Sequence, residues 1–240
     1  MNIRFSLALA ALLGTVLLPA QDETTSKKWH FGLFASPDFS FRSLAGNTGT
    51  SAQIAGTRNG FELPKIAFTA GGEVLYRHAE KWSFTGGLQL SIKGDATEVI
   101  TLVYVSPQGP VPPPPGEPTT AQFFYNSRYI DLPLRADYYF SRKKIAPFIT
   151  AGISTNIFIN ERVVSHTGYA DGRKGKSANV AQNGYHRVNP QVQLGGGIDV
   201  TLPTGMLRVL PLARMSVLPV NSGSVDGYFY SVGLGVNYFL

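Results

Sequence analysis

Cysteine is absent from this chain of 240 residues, which excludes disulfide frameworks, thiolate metal sites and cysteine nucleophiles. Charged residues are scarce as well, because Asp, Glu, Lys and Arg make up 15% of the sequence, whereas soluble globular domains contain about 25%. The net charge is +6, and many of the basic residues are scattered along the chain. We therefore expect attraction to anionic lipid headgroups or polysaccharide, and no nucleic acid as a partner.

Long hydrophobic runs are lacking after the N-terminus. Arg4 is followed by an apolar stretch from Phe5 to Leu18 and then by a small residue suited to a cleavage site. This order is typical of a secretory signal peptide, since a membrane-anchoring helix needs ~20 apolar residues. We predict a signal peptide at 1–20, a short periplasmic segment at 21–28 and one folded domain at 29–240, with no transmembrane helix.

Motifs for catalysis or metal binding are also lacking. The four histidines are far apart, and none belongs to an HExxH motif. The segment from Ala170 to Ser177 matches a relaxed P-loop pattern, but alanine replaces the first glycine and the flanks are polar. We interpret it as a basic exposed loop that contacts lipopolysaccharide. Gly195 to Gly197 lie within an alternating segment, where glycines let a tight sheet bend. No cofactor is expected.

One group of residues leaves an enzymatic alternative open. His166 and His186 fall in the same predicted loop, with Ser165 and Ser177 nearby. Some small membrane barrels hydrolyse lipids with Ser and His side chains near one rim. A membrane-embedded enzyme acting on lipid or lipopolysaccharide is therefore an alternative, although we expect that the chain is not an enzyme.

What the sequence does contain is polarity that alternates with a period of two, the pattern of a sheet with two unlike faces. In the last segment an apolar row runs from Tyr228 to Leu240, with aromatic residues near both ends. Aromatic girdles at the two bilayer interfaces produce this arrangement. The pattern predicts eight strands, at about Trp29 to Phe41, Ile66 to Arg77, Trp82 to Lys93, Tyr129 to Phe140, Ile145 to Ile159, Gln191 to Thr201, Leu207 to Val217 and Tyr228 to Leu240.

The lengths of strands and connections suit a membrane barrel. Roughly 12 residues at ~3.3 Å each, tilted by about 40°, span about 30 Å, the thickness of a bilayer core. Membrane barrels alternate tight periplasmic turns with longer outside loops, and an even strand number places both termini in the periplasm. A proline-rich stretch at 107–116 should form a stiff exposed loop tip. The predicted short turns are 78–81, 141–144 and 202–206, the long loops are 42–65, 94–127 and 160–187, and the link at 218–226 is intermediate.

Alternation alone does not say which face points inward. A soluble lipocalin-like periplasmic carrier would also alternate, with its apolar face inside. Here the polar faces are weakly charged and rich in Gly, Ser, Thr and Gln, which suits a narrow interior, and the chain ends on the strand residues Tyr238-Phe239-Leu240. We predict an all-β fold, namely a closed eight-stranded antiparallel up-and-down transmembrane β-barrel in the outer membrane, because lipid requires closure of the backbone hydrogen bonds.

Charged residues of the predicted strands are expected to face the interior. Both signs are present, so ion pairs and hydrogen bonds should fill a lumen that, with eight strands, is just wide enough for side chains. We predict a plugged interior rather than an open pore, with a proton or solute path as the alternative. The predicted lumen residues are Glu73, Arg77, Lys93, Asp131, Arg135, Asp137, Asp199, Arg208 and Arg214.

Two segments resemble the PorT-like group of small outer-membrane β-barrel proteins. They are RYIDLPLRADYYF, from Arg128 to Phe140, and GLGVNYFL, from Gly233 to Leu240. The resemblance, together with the strand rhythm, covers nearly the whole mature chain. It implies an outer-membrane location and insertion by the barrel-assembly machinery, which reads the last strand. Some relatives in that group serve a secretion system, but no motif specific to that role is present here.

The favoured interpretation is a non-enzymatic outer-membrane barrel of structural, adhesion or binding type. Its outside loops would bind, adhere or shield, and they would carry any specificity. The expected partners are outer-membrane lipid and lipopolysaccharide, and we expect a monomer. The membrane-embedded enzyme and the soluble periplasmic carrier remain the two alternatives.

Overall fold

The computed structural model describes residues 28–240 except 47, 182, 183, 222 and 224. The predicted signal peptide at 1–20, and all of the segment 21–28 but its last residue, lie outside the described residues. In chain order the elements are β1 (Trp29–Ala45), α1 (Gly49–Phe61), β2 (Glu62–Leu63), β3 (Lys65–Arg77), β4 (Trp82–Lys93), β5 (Ala96–Thr97), β6 (Ile100–Thr101), β7 (Tyr104–Ser106), β8 (Gly109–Val111), β9 (Pro118–Tyr139), β10 (Ile145–Tyr169), β11 (Lys174–Ala181), β12 (Val188–Leu202), β13 (Gly205–Ser216) and β14 (Asp226–Phe239).

Eight of the strands form an antiparallel ring. Each is hydrogen-bonded to two neighbours in the order β1-β3-β4-β9-β10-β12-β13-β14, and β14 pairs back onto β1 from Gly32↔Phe239 to Ala45↔Asp226. The predicted all-β class and the ring of eight antiparallel strands are confirmed. Among the described residues, no helix combines the length and the apolar character needed to cross a membrane.

The connections between ring strands separate into two ends. Three links, at 78–81, 140–144 and 203–204, are short, and they lie at one end of the ring together with Trp29 and Phe239. We call this the turn end. The opposite end, called the loop end, carries the longer connections, which contain α1, β2, β5 to β8 and β11. The predicted alternation of short and long connections is therefore present.

Two neighbouring ring strands continue well past the loop end. β9 begins at Pro118 rather than near Tyr129, and β10 continues to Tyr169 rather than ending near Ile159. With β11, which pairs only with β10 among the described strands, they form a sheet of residues 118–128, 160–169 and 174–181. We call it the projecting sheet. Ten residues of strand extend it by roughly 30 Å, so the prediction of loops at 94–127 and 160–187 is wrong there.

A β-bulge separates the ring part of β10 from its projecting part. The pairing with β9 shifts register between Phe158 and Asn160, which leaves Ile159 as an extra residue. Below the bulge the inward side chains of β10 have even numbers, such as Phe148 and Phe158, whereas above it Glu161 is buried and Arg162 is exposed. The extra residue therefore exchanges the two faces of the strand.

The first long connection also contains regular structure that the sequence pattern does not predict. Helix α1 lies within the predicted loop at 42–65. The Thr48 amide donates to Ser51 Oγ at 3.0 Å. Thr48 and Ser51 form a capping box at the N-terminus of the helix. The helix therefore begins at a local polar signal and not at a row of apolar residues.

Large apolar side chains face outward from the ring. In β4 the outward apolar residues from Trp82 to Ile92 are 39–63% exposed, whereas the inward polar residues from Ser83 to Lys93 are at most 3% exposed. Aromatic pairs lie at both ends of this surface, with Trp29 and Tyr76 at the turn end (ring centroids 4.4 Å apart) and stacked Phe41 and Tyr230 nearer the loop end (5.2 Å). The ring thus has an apolar exterior with aromatic borders.

Adjacent glycines on β3 offer a test of how closely the ring strands pack. A Cβ on inward-facing Gly71 would lie 2.2 Å from the Leu88 backbone oxygen, whereas one on outward-facing Gly72 would have its nearest atom at 3.9 Å. We expect Gly71→Ala to lower the free energy of unfolding by about 1–3 kcal/mol through overpacking, and Gly72→Ala to have little effect. Urea titration of the detergent-solubilised protein measures both, and equal midpoints for the two variants would contradict the packing.

Candidate functional site

The interior of the ring contains charged side chains arranged in layers along its axis. Alternation places them there, because every second residue of each ring strand points inward while its neighbours face outward. Since an unpaired buried charge is costly, the partners of each charge decide what the interior can do.

Arg208 of β13 organises the layer nearest the turn end. Its guanidinium donates to Asp199 (2.8 and 3.0 Å) and to Asp137 (2.9 Å), and its side chain is fully buried. Tyr139 Oη donates to Asp199 at 2.5 Å and accepts from Arg208 at 2.7 Å. The guanidinium also lies 4.3 Å from the centre of the Phe148 ring, a favourable cation–π contact. One arginine therefore neutralises carboxylates from two other strands.

The next layer is built around Glu73 of β3. Arg135 Nη2 lies 2.7 Å from both Glu73 oxygens, and the two side chains are at most 1% exposed. Gln89 donates to one of these oxygens at 2.7 Å and Asn237 donates to the other at 2.5 Å. The carboxylate thus receives hydrogen bonds from β4, β9 and β14, so this layer ties four strands together across the interior.

Two further ion pairs lie between this layer and the loop end. Asp38 accepts from Arg214 at 2.7 Å and also from Ser36 and Thr69. Lys93 lies 3.0 Å from Asp131. Four interior cations therefore face five carboxylates across these layers, and each of them has a partner of opposite charge.

Eight of the nine predicted lumen residues lie in these layers, and each is at most 4% exposed. Arg77 does not join them, because it lies half-buried at the turn end with its Nη2 3.4 Å from the sulfur of Met206. The sequence reasoning missed Asp38, the partner of Arg214. The alternation in the first strand could have predicted it, because Asp38 shares one face with Phe34, Ser36, Ser40 and Arg42.

Clusters of buried apolar side chains lie towards both ends of the interior. The prediction of a polar lumen does not include them. The apolar row from Tyr228 to Leu240 leaves Phe229 and Phe239 on the opposite face of the last strand, which points inward. These clusters are Tyr139, Ala146, Phe148, Leu210 and Leu212 with Leu75, Met206 and Phe239 towards the turn end, and Tyr129, Phe158, Val220 and Phe229 with Tyr185 towards the loop end. The interior is therefore a polar centre between two apolar layers.

A second charged group lies at the loop end, beyond the outward apolar rows. Arg42 donates to Glu62 at 2.9 Å and lies 3.4 Å from Asp95, and Tyr185 Oη donates to Glu161 at 2.5 Å. We call these five residues the loop-end cluster. Arg58 of α1 also lies 2.6 Å from Glu62, so the cluster connects the helix to the ring.

Helix α1 is held against β1 by more than this ion pair. The Asn59 side chain accepts from the Leu44 amide at 2.9 Å and donates to the Leu44 carbonyl at 2.8 Å. Leu44 also packs with Ala55 of the helix and with Val225. The helix is thereby fixed beside the loop end of the interior.

Asp95 is the most perturbed carboxyl of the loop-end cluster. Burial raises its pKa from 3.8 to about 7, and the neighbouring Glu62 and Glu161 act in the same direction, while Arg42 and Arg58 oppose the rise. The cluster therefore contains a carboxyl that titrates near neutral pH.

The serine and histidine residues of the enzymatic alternative are not arranged as a nucleophile and its base. Ser165 Oγ and Ser177 Oγ lie 2.6 Å apart, whereas His166 occupies the opposite face of β10 and contacts the Phe124 ring. His186 lies in a separate segment, where its amide donates to Val220. Within the described part of the chain, no three His, Asp or Glu side chains are grouped so as to hold a metal ion.

Sequence comparison identifies the family of this eight-stranded ring. Residues 19–212 match the family described as outer membrane protein beta-barrel domain. The chain is an outer-membrane β-barrel protein. A barrel with an apolar exterior and charged interior has the opposite arrangement to a soluble carrier. Among curated proteins, none matches the sequence.

Solved structures of outer-membrane proteins match about nine tenths of this chain at low sequence identity. Neisserial surface protein A is 10% identical, with 90% of this chain and 99% of that chain covered and a TM-score of 0.43. A major outer membrane protein from Thermus thermophilus is 10% identical (89% and 100% covered, TM-score 0.40). OprG from Pseudomonas aeruginosa is 13% identical (90% and 99% covered, TM-score 0.39).

Replacement of Arg208 tests how much the barrel depends on interior charge pairing. Arg208→Leu would leave Asp137 and Asp199 buried without their cation, so we expect a loss of about 3–5 kcal/mol in the free energy of unfolding. The matched control is Arg173→Leu, which removes an exposed arginine paired with Asp171 and should cost at most ~1 kcal/mol. Urea unfolding in detergent measures both, and a change at Arg208 as small as the control would refute the expectation.

The raised pKa of Asp95 predicts a pH-dependent loop end. Because the folded-state pKa lies above the ordinary 3.8, the folded state favours the protonated form of Asp95. This contribution to stability is complete below pH 3.8 and is lost progressively as pH rises to about 7. Amides of 44–46 and 48–59 should therefore exchange faster at about pH 7.5 than at about pH 5, after correction for intrinsic exchange.

Two substitutions separate Asp95 from other sources of this pH dependence. Asp95→Asn should remove most of the difference in protection, whereas Asp171→Asn, at an exposed carboxylate of the projecting sheet's tip, should leave it unchanged. Equal pH dependence in the wild-type protein and Asp95→Asn would contradict the assignment.

Proposed function

We propose that the protein is a filled, non-conducting barrel that anchors the projecting sheet at the cell surface. The observation that carries this proposal is the pair of fully inward arginines, Arg135 and Arg208, whose side chains are at most 1% exposed. Both reach carboxylates on other strands across the interior. A continuous aqueous path would require these ion pairs to separate, which is costly for buried charges.

The proposal includes an orientation in the membrane. The turn end and both termini lie in the periplasm, and the loop end with the projecting sheet lies outside, as in barrels with short periplasmic turns. Residues 1–20 act as a signal peptide, and the barrel-assembly machinery inserts the mature chain through its last strand. The PorT-like resemblance of 128–140 and 233–240 supports this route, and it also supports membership of that group.

The proposed activity is binding, adhesion or a structural role rather than catalysis. Outward apolar residues occur on every ring strand, from Phe31 on β1 to Val236 on β14, so lipid can surround a monomer on all sides. The expected partners are outer-membrane lipid and lipopolysaccharide. The separation of His166 from Ser165 and Ser177 by the thickness of a strand favours this interpretation over a lipid hydrolase.

Planar-bilayer recording tests the filled interior. We expect the wild-type protein to give no large steady conductance, because ion pairs and apolar clusters occupy the interior at successive levels. Glu73→Ala with Arg135→Ala removes one layer without leaving an unpaired charge, and it should raise the leak current. The matched control, Asp171→Ala with Arg173→Ala, removes an exposed pair and should not. A large steady current through the wild-type protein would overturn the proposal.

A further inference from the structure

One face of the projecting sheet carries basic side chains on the lipid side of the barrel. Arg128 lies on the same outward face of β9 as Ile130 and Leu132 and is nearer the loop end. Its side chain is exposed, as is that of Leu132, whereas Ile130 is partly exposed. On β10 the bulge at Ile159 turns Arg162 and His166 to this same outward side. Lys174 and Lys176 of β11 pair with residues 168 and 166 and complete the face. We call these five residues the cationic face.

No carboxylate accompanies the cationic face on the outward side of the projecting sheet. The outward positions of this sheet are the even-numbered residues 120–128, 160–168 and 174–180, and none of them is Asp or Glu. Elsewhere in the barrel most arginines are ion-paired, including Arg42, Arg135, Arg208 and Arg214. Among the described residues, none of the five forms an ion pair, so the charges of the two arginines and the two lysines are available to an external anion.

Two arginines lie where the apolar exterior ends. Arg128 pairs with Asn160 and Arg162 pairs with Asn126 across the same two strands. Such diagonal neighbours lie about 7–8 Å apart, and both side chains are exposed. Since Ile92 of β4 is the partner of Arg128 on its other side, the pair borders the lipid-facing surface directly. Two guanidinium groups at this spacing suit one phosphate group bound between them.

The other three residues of the cationic face, His166, Lys174 and Lys176, line a groove farther from the barrel. The groove has a volume of about 460 Å³ and is lined by Thr120, Gln122, His166, Gly168, Lys174 and Lys176, among others. Gly168 keeps it open, because a Cβ there would lie 2.5 Å from Thr120 Oγ1. Hydroxyl, amide and ammonium groups in one groove are suited to an anionic sugar.

We propose that the cationic face binds the phosphorylated glycolipid of the outer leaflet, lipopolysaccharide, with Arg128 and Arg162 on phosphate near the acyl chains and Lys174 and Lys176 on anionic groups of the sugar chain. Acyl chains would lie along the outward apolar rows below. Charge complementarity and the position above those rows select this ligand over a soluble one. The inference rests on the proposed orientation, with the loop end outside the cell.

Binding to purified rough lipopolysaccharide tests the inference. The full mature protein, folded in neutral detergent, should bind it in a salt-dependent manner, and enzymatic removal of its phosphates should weaken binding by about tenfold or more. The double variants Arg128→Gln/Arg162→Gln and Lys174→Gln/Lys176→Gln should each cause a loss of the same order. The matched control, Lys143→Gln/Lys144→Gln, removes two cations at the turn end and should bind like wild type.

Three outcomes would overturn the inference. They are wild-type affinity in both double variants, equal affinity for the dephosphorylated lipid, and competition by inorganic pyrophosphate at the same concentration as the lipid, which would indicate a soluble ligand. Unchanged heat-modifiable gel migration shows that each variant is folded. Trypsin treatment of intact cells, with cleavage expected at Lys174 and not at Lys143, tests the orientation separately from lipid binding.

Discussion

Mutual neutralisation of buried charges is the constraint on which the barrel depends. An apolar exterior leaves one direction for the polar side chains of each strand, and that direction leads into an interior where the charged side chains are buried. A charge there is tolerated only when a counter-charge and hydrogen bonds accompany it. The layers around Arg208, Glu73, Asp38 and Lys93 meet this condition with partners drawn from different strands. Correct strand order and register are therefore coupled to charge pairing.

The faces of the ring strands could be predicted from the sequence because lipid and a narrow interior impose strict alternation. Eight of the nine predicted lumen residues are accordingly buried in the ring. The exception, Arg77, sits at the end of its strand, where alternation no longer decides burial. Which residues pair could not be predicted, because partners such as Asp38 and Arg214 are 176 positions apart and their contact depends on register around the whole ring.

Structure at the loop end could not be predicted, for two physical reasons. The projecting sheet lacks an apolar face turned towards lipid, so its strands carry no strong period-two signal and their sequence is typical of loops. The bulge at Ile159 adds one residue without any marker in the sequence, and it reverses which side chains point inward beyond it. That reversal puts Glu161 beside Tyr185 in the interior and sends Arg162 to the exterior. A single extra residue thus gives one strand two different roles.

The end position of β11 has a consequence for how neighbouring molecules meet. Its amide and carbonyl groups on the side away from β10 have no strand partner among the described residues, and such an unprotected border invites another chain to add itself as the next strand. Lys174 and Lys176 lie on this border strand, and like charges there repel an identical copy. In a crowded membrane, this repulsion would keep neighbouring barrels from aggregating by pairing of their edge strands.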